Sequence, residues 1–150
     1  MLRAALDRLP STGGVKRRNS WFLGVLAEGL AGAGQLTGAF ATIDEALAQS
    51  DRSGQYWCRA ELHRVKGELL LQEAADRSIP AAEDCFHRAL EMAQEQGALF
   101  WELRAVLSFS RLRIKQDRQD DARRILAPVY DQFAEGFDAA DLRQARSLLQ

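Results

Sequence analysis

The residues of this 150-residue chain with types suited to chemistry are few. Ser11, Thr12, Gly13, Gly14, Val15 and Lys16 hold some of the parts of a phosphate-binding loop, whose backbone N–H groups wrap phosphate oxygens. That loop needs two glycines five positions apart and then Lys followed by Ser or Thr. Here Lys16 is followed by Arg17 and no strand precedes it, so the stretch from Pro10 to Gly14 is expected to be a linker. His63 and His87 are the only histidines, and neither has a second His or Cys at metal-ligand spacing on its segment. Glu61 and Glu68 lie on partly different sides of a helix from His63, so an acid–base pair is not expected and His63 should sit on an amphipathic helix face. Cys85 and His87 are two positions apart and point in different directions on a helix, which excludes a thiolate–imidazole pair. Cys58 and Cys85 are surrounded by apolar and aromatic residues and are expected to be buried thiols in a reducing compartment. No catalytic, cofactor-binding or metal-ligating residue emerges, and the chain is not expected to be an enzyme.

Two basic runs, Lys16-Arg17-Arg18 and Arg111, Arg113, Lys115 and Arg118, could follow a phosphate backbone. They lack interleaved aromatics, the acids Asp117, Asp120 and Asp121 accompany the second, and the formal net charge is -1. Solvated helix faces are expected, with no nucleic-acid partner. At 47% apolar and 27% charged residues the composition is that of one soluble domain. The first ten residues, MLRAALDRLP, do not have the layout of a signal peptide. The longest apolar stretch, from Trp21 to Gly34, carries Glu28 at its centre and is too short for a bilayer. No membrane partner and a cytoplasmic location are expected.

The elements that must position any site are helices. Breakers at Pro10 to Gly14, Ala31 to Gly38, Ser50 to Gly54, Ala75 to Pro80, Gln96 to Ala98, Gln116 to Asp120 and Glu135 to Asp138 separate segments whose apolar residues recur every three or four positions. Leu62, Val65, Leu69 and Leu70 are one such set. Nothing alternates with period two, so the expected fold class is all-α with about eight helices. Pro80 suits a first helical turn, Gly97 a helix stop, and Asp138 an N-cap for the last helix.

The segments share a pattern of small and large residues. Ala27, Leu30, Ala39, Ile43 and Ala46 align with Gly67, Leu70, Ala82, Phe86 and Ala89, and then with Ser110, Arg113, Ala122, Leu126 and Val129. A repeat of about 40 residues built from two helices is the mark of a helical solenoid. Gly67, which costs about 1 kcal/mol of helix propensity relative to alanine, then has a purpose. With Ala27 and Ser110 it holds the small position where a partner helix crosses closely.

On these residues the chain resembles the tetratricopeptide repeat family, with a large–small–large first helix and an Ala–large–Ala second helix. Leu23, Leu26, Ala27, Leu30, Ala39, Ile43 and Ala46 carry the pattern, whereas His63, Lys66, Arg113 and Val129 depart from it. The resemblance implies a right-handed superhelix of antiparallel helix pairs, an α-α solenoid. Its parts would be an incomplete leading repeat and linker over 1–18, repeats over 19–54, 55–97 and 98–136, and a C-terminal helix over 137–150. The runs AELHRVKGELLL, CFHRALEMAQEQGALFWELRA and ARRILAPVYDQFAEGFDAADLRQARSLL also resemble the C-terminal helical-repeat tail of large bacterial signalling proteins. In those proteins a cyclase or DNA-binding domain and a predicted ATPase precede the repeats.

The implied function is a regulatory or protein-interaction module that binds a protein or peptide in a groove lined by the first helices. By that register the groove residues would be Trp21 and Glu28, then Glu61, Arg64 and Glu68, then Arg104, Arg111 and Lys115, an acid-to-base gradient along the groove. Trp21-Phe22, Tyr56-Trp57 and Phe100-Trp101 are expected to pack between repeats, the alternative being an aromatic ledge at one rim. A helix from Leu2 to Leu9 with a Leu2, Leu6, Leu9 stripe would leave an uncapped end, which makes a homodimer the other expectation.

Overall fold

The computed structural model describes residues 13–73 and 77–150; the expected Leu2–Leu9 helix lies outside the described residues. Among the described residues there are seven helices and no strand: α1 Gly13–Gly32, α2 Leu36–Ser53, α3 Arg59–Glu73, α4 Ser78–Glu95, α5 Leu99–Lys115, α6 Gln119–Tyr130 and α7 Ala140–Leu149. None of them is long and apolar enough to cross a membrane.

The helix ends follow from backbone chemistry. The last carbonyls of a helix lack intrahelical partners, and a left-handed residue just past the end lets following N–H groups return to them. Four ends use this device. Gln35 N–H donates to Leu30 O at 2.8 Å, Gln55 to Ser50 O at 3.2 Å, Ala98 to Ala93 O at 2.9 Å and Arg118 to Arg113 O at 2.9 Å. The left-handed residue is glycine at the first three ends and Asp117, with φ of 58°, at the fourth. Pro80 is the third residue of α4, inside its first turn. Two expectations are corrected here. Gly13 and Gly14 belong to α1 and not to a linker, since glycine weakens a helix without forbidding it. The residue before α7 is the extended Ala139, which has no side-chain cap, so Asp138 sits one position too early.

The connections from α1 to α2, α4 to α5 and α5 to α6 have only three residues, which sends the chain back along the preceding helix. α1 packs on α2, α3 on α4 and α5 on α6. α1 also touches α3, α3 touches α5 and α5 touches α7, whereas α2, α4 and α6 reach only the odd-numbered helices beside them. The odd helices therefore form a continuous layer, and the even ones cover its back.

The small–large register holds in the core. Ala27, Ala39, Ile43, Ala46, Ala82, Phe86, Ala89 and Ser110 are fully buried, and Ala122, Leu126 and Val129 are nearly so. At Gly67 a β-carbon would stand 2.5 Å from Cε1 of Phe86, a closeness that only a missing side chain permits. Ser110 approaches α6 closely enough to donate to Ala122 O at 3.2 Å. Arg113 takes the position that Leu30 and Leu70 hold in the other units. Its guanidinium lies 4.5 Å from the centre of the Phe109 ring and pairs with Glu83 of α4 at 2.7 Å, so the apolar position is covered by the stem while the charge reaches a partner.

Candidate functional site

α3 is the centre of the odd layer and touches α1, α2, α4 and α5. With neighbours on so many sides, three of its polar residues are buried. Glu61 is 6% exposed, Arg64 5% and His63 7%. A charge held out of water is tolerable only when it is paired and hydrogen-bonded.

Arg64 meets that requirement completely. Its Nε donates to Oε2 of Glu61 at 2.9 Å and its Nη2 to Oε1 at 2.8 Å, a two-pronged bond that spacing by three on one helix allows. Nη2 also reaches Glu28 of α1 at 2.5 Å, and Nη1 reaches Ser108 of α5 at 3.4 Å. Glu61 also forms an ion pair with Arg104 of α5 at 2.9 Å, and Arg104 lies 3.9 Å from Asp141 of α7. One turn along, Glu68 binds Arg111 at 2.6 Å, and Arg111 donates to Ser108 at 3.1 Å and to Gln144 of α7 at 3.1 Å. The result is a single ionic network that crosses all four odd helices.

The network shifts the proton affinities of Arg64 and Glu68. Burial opposes the charge on Arg64, but Glu61 and Glu28 outweigh it and raise its pKa. Burial likewise disfavours the Glu68 carboxylate, yet Ser108 and the guanidiniums of Arg111 and Arg64 lower its pKa. Both groups remain charged throughout the neutral range.

A cleft of about 360 Å³ opens beside the network between α1 and α3, with Glu28, Gly32, Arg64, Glu68, Gln72 and Arg111 in its walls. A smaller depression of about 40 Å³ adjoins it and is lined by Trp21, Val25 and Leu62 together with Glu28, Glu61 and Arg104. The two share Glu28 and Val65.

Of the eight residues expected in the groove, Glu28, Glu61, Arg64, Glu68, Arg104 and Arg111 meet in the network, and Trp21 lies at its apolar end. Lys115 is exposed on the last turn of α5, outside it. The expected acid-to-base gradient is replaced by cross-helix neutralisation, because each acid stands within reach of a guanidinium on the next odd helix. Ser108, Asp141 and Gln144 were missed. Ser108 falls between Arg104 and Arg111 at spacings of four and three, so helix geometry alone could have found it. Asp141 was legible only as a first-turn acid.

Other expectations change. Arg111 and Arg113 are not solvated surface charges but half-buried partners of Glu68 and Glu83. His63 is buried and not on an exposed amphipathic face; its Nε2 has no hydrogen-bond partner among the described residues, and burial with the nearby charges of Arg59, Arg88 and Lys66 pushes its pKa down to about 4. Burial pushes the free Cys58 thiol up to about 11, which keeps it protonated and unreactive. Cys85 is half-buried. Trp21 and Trp101 are half-buried against Phe22 and Phe100, whereas Tyr56, Trp57 and Phe100 are 49%, 44% and 48% exposed. The carbonyl of Tyr56 accepts from the Gln96 side chain at 2.8 Å, which brings the α2–α3 and α4–α5 connections together. Among the described residues no group of three His, Cys, Asp or Glu gathers as metal ligands would. Protein-family models, curated proteins and solved structures contain no match to the chain.

Proposed function

We propose that the chain is a non-catalytic interaction module of tetratricopeptide-like helix pairs, wound as a right-handed superhelix, whose odd-helix layer receives a peptide or a neighbouring domain. In this reading it serves as a regulatory part of a bacterial cytoplasmic signalling protein, with the enzymatic or DNA-binding output carried elsewhere. The observation that carries it is the convergence of polar side chains from four separate helices onto one face beside an open cleft. An ionic network is a poor way to stabilise a core, since well-packed apolar residues of similar volume do as well or better. Its retention on one face suits a surface that must recognise charge and hold a fixed shape.

Gly32 offers a direct test, because it lines the cleft and a β-carbon there meets nothing within 4 Å. Gly32→Trp should fill the cleft without disturbing the helices. On an array of random octapeptides the unmodified chain should retain a reproducible subset that Gly32→Trp loses. Ala41→Trp, at an exposed site on α2, should retain the same subset. Equal binding by Gly32→Trp, with unchanged circular dichroism, would place recognition elsewhere.

A further inference from the structure

The charges in the cleft are not equally available to a ligand. The Arg64 side chain is only 6% exposed and all its nitrogens point at protein partners. Glu68 is bound by Arg111, and Glu61 by Arg64 and Arg104. Glu28 differs. Its side chain is 41% exposed, more than that of any other charged member of the network, and among the described residues only its Oε1 is engaged, by Arg64. Among the described residues the network sets four carboxylates (Glu28, Glu61, Glu68 and Asp141) against three guanidiniums (Arg64, Arg104 and Arg111). One negative charge is left over, and the most exposed carboxylate side chain among the four is that of Glu28.

Glu28 also stands where the two depressions join. On one side lies the large polar cleft, on the other the small hollow with Trp21 and Val25. Trp21, Val25 and Glu28 fall at spacings of four and three on α1, so they share one face of the helix. Val25 is 42% exposed, leaving apolar surface beside the free carboxylate oxygen. From Trp21 to Gly32 the groove runs about 16 Å along α1, the span of about five extended residues.

We propose that this groove takes a short peptide segment carrying an apolar side chain next to a lysine or arginine, the apolar group lying on Trp21 and Val25 and the cation on Glu28. The proposal rests on the reading of the odd-helix layer as a peptide-binding face and adds the chemistry of the peptide. A cation at Glu28 neutralises the surplus charge, while an acidic side chain there would meet it with like sign, each guanidinium of the network already being paired with a carboxylate.

The octapeptide array tests both levels separately when it is probed with the full chain. Bound peptides should be enriched in Lys or Arg beside Leu, Ile, Met or Phe. Glu28→Gln should abolish the basic enrichment, weaken a representative basic–apolar peptide about fivefold in fluorescence anisotropy, and flatten its salt dependence. Asp120→Asn makes the same charge change at an exposed α6 position and should leave affinity unaltered. Bound peptides rich in Asp or Glu, or basic enrichment that survives Glu28→Gln, would overturn the proposal while leaving a peptide-binding face in place. No retained peptide of any composition would remove that face and the proposal together. A dimer in sedimentation that Val25→Glu dissociates would assign the groove to a second copy and overturn the proposal as well.

Discussion

Replacing Gly67 by alanine would improve local helix propensity by about 1 kcal/mol and would set a methyl carbon 2.5 Å from the Phe86 ring. Phe86 is fully buried and cannot swing away, so overpacking should win, with a net loss of about 1–2 kcal/mol in urea unfolding. An increase in stability would mean that the ring yields and the close approach is unimportant. Gly67, Ala27 and Ser110 were legible because a small residue recurring at one place in each unit is a one-dimensional signal. His63 was not, because exposure on α3 is set by the four helices around it and not by the polarity of its own sequence. Its depressed pKa has a calculable consequence. Between pH 6.5 and about 4 the unfolded chain holds a proton on His63 that the folded chain does not. Stability should therefore be complete above pH 6.5 and fall as pH drops toward 4, by about 3 kcal/mol in all. Thermal unfolding of His63→Leu should show this part of the acid limb flattened; an unchanged slope would locate the acid sensitivity in other groups.

At the scale of elements, helix ends were more legible than helix starts. Gly34, Gly54 and Gly97 announce left-handed stops, whereas α2 to α7 begin without a side-chain cap wherever the N-cap is defined, so searching for Asp or Ser near the starts misplaced the last helix. Asp117 does at the end of α5 what glycine does at the other three ends. Asp117→Gly should raise stability by roughly 0.5–1 kcal/mol and Asp117→Ala should lower it by about as much, since only glycine escapes the steric cost of positive φ. The order Gly above Asp above Ala in melting temperature checks this, and the reverse order would deny the conformation. Between elements, Arg64 ties α3 to α1 and α5. Arg64→Ala leaves Glu61 buried with Arg104 as its remaining cation, and a loss of about 3 kcal/mol is expected in urea unfolding. Arg64→Met, which keeps the volume but not the charge, should lose similarly unless Glu61→Gln accompanies it.

At the scale of the whole molecule, helix period revealed the all-helical architecture, and six of the charged residues expected along the groove meet in one ionic network. What the sequence pattern did not reveal is that those charges neutralise one another. The register gives the face of each helix, but pairing depends on side-chain reach across 8–10 Å between neighbouring axes, which no single helix encodes. Neutralisation also changes how the face should be probed. Reversing Arg104 and Arg111 to Glu would set like charges against buried Glu61 and Glu68 and endanger the fold, so loss of binding would be ambiguous. Filling the cleft at Gly32 or unmaking the surplus charge at Glu28 leaves those pairs intact.

The most direct test of the proposed receiving face is the amide ¹H–¹⁵N spectrum of the chain titrated with its best array peptide. Saturating shifts should concentrate on residues 21–32, 61–72 and 104–111, with α2, α4 and α6 little affected. Shifts confined to the even helices, or none at peptide concentrations that saturate the array, would contradict the assignment of the odd-helix layer as the receiving face.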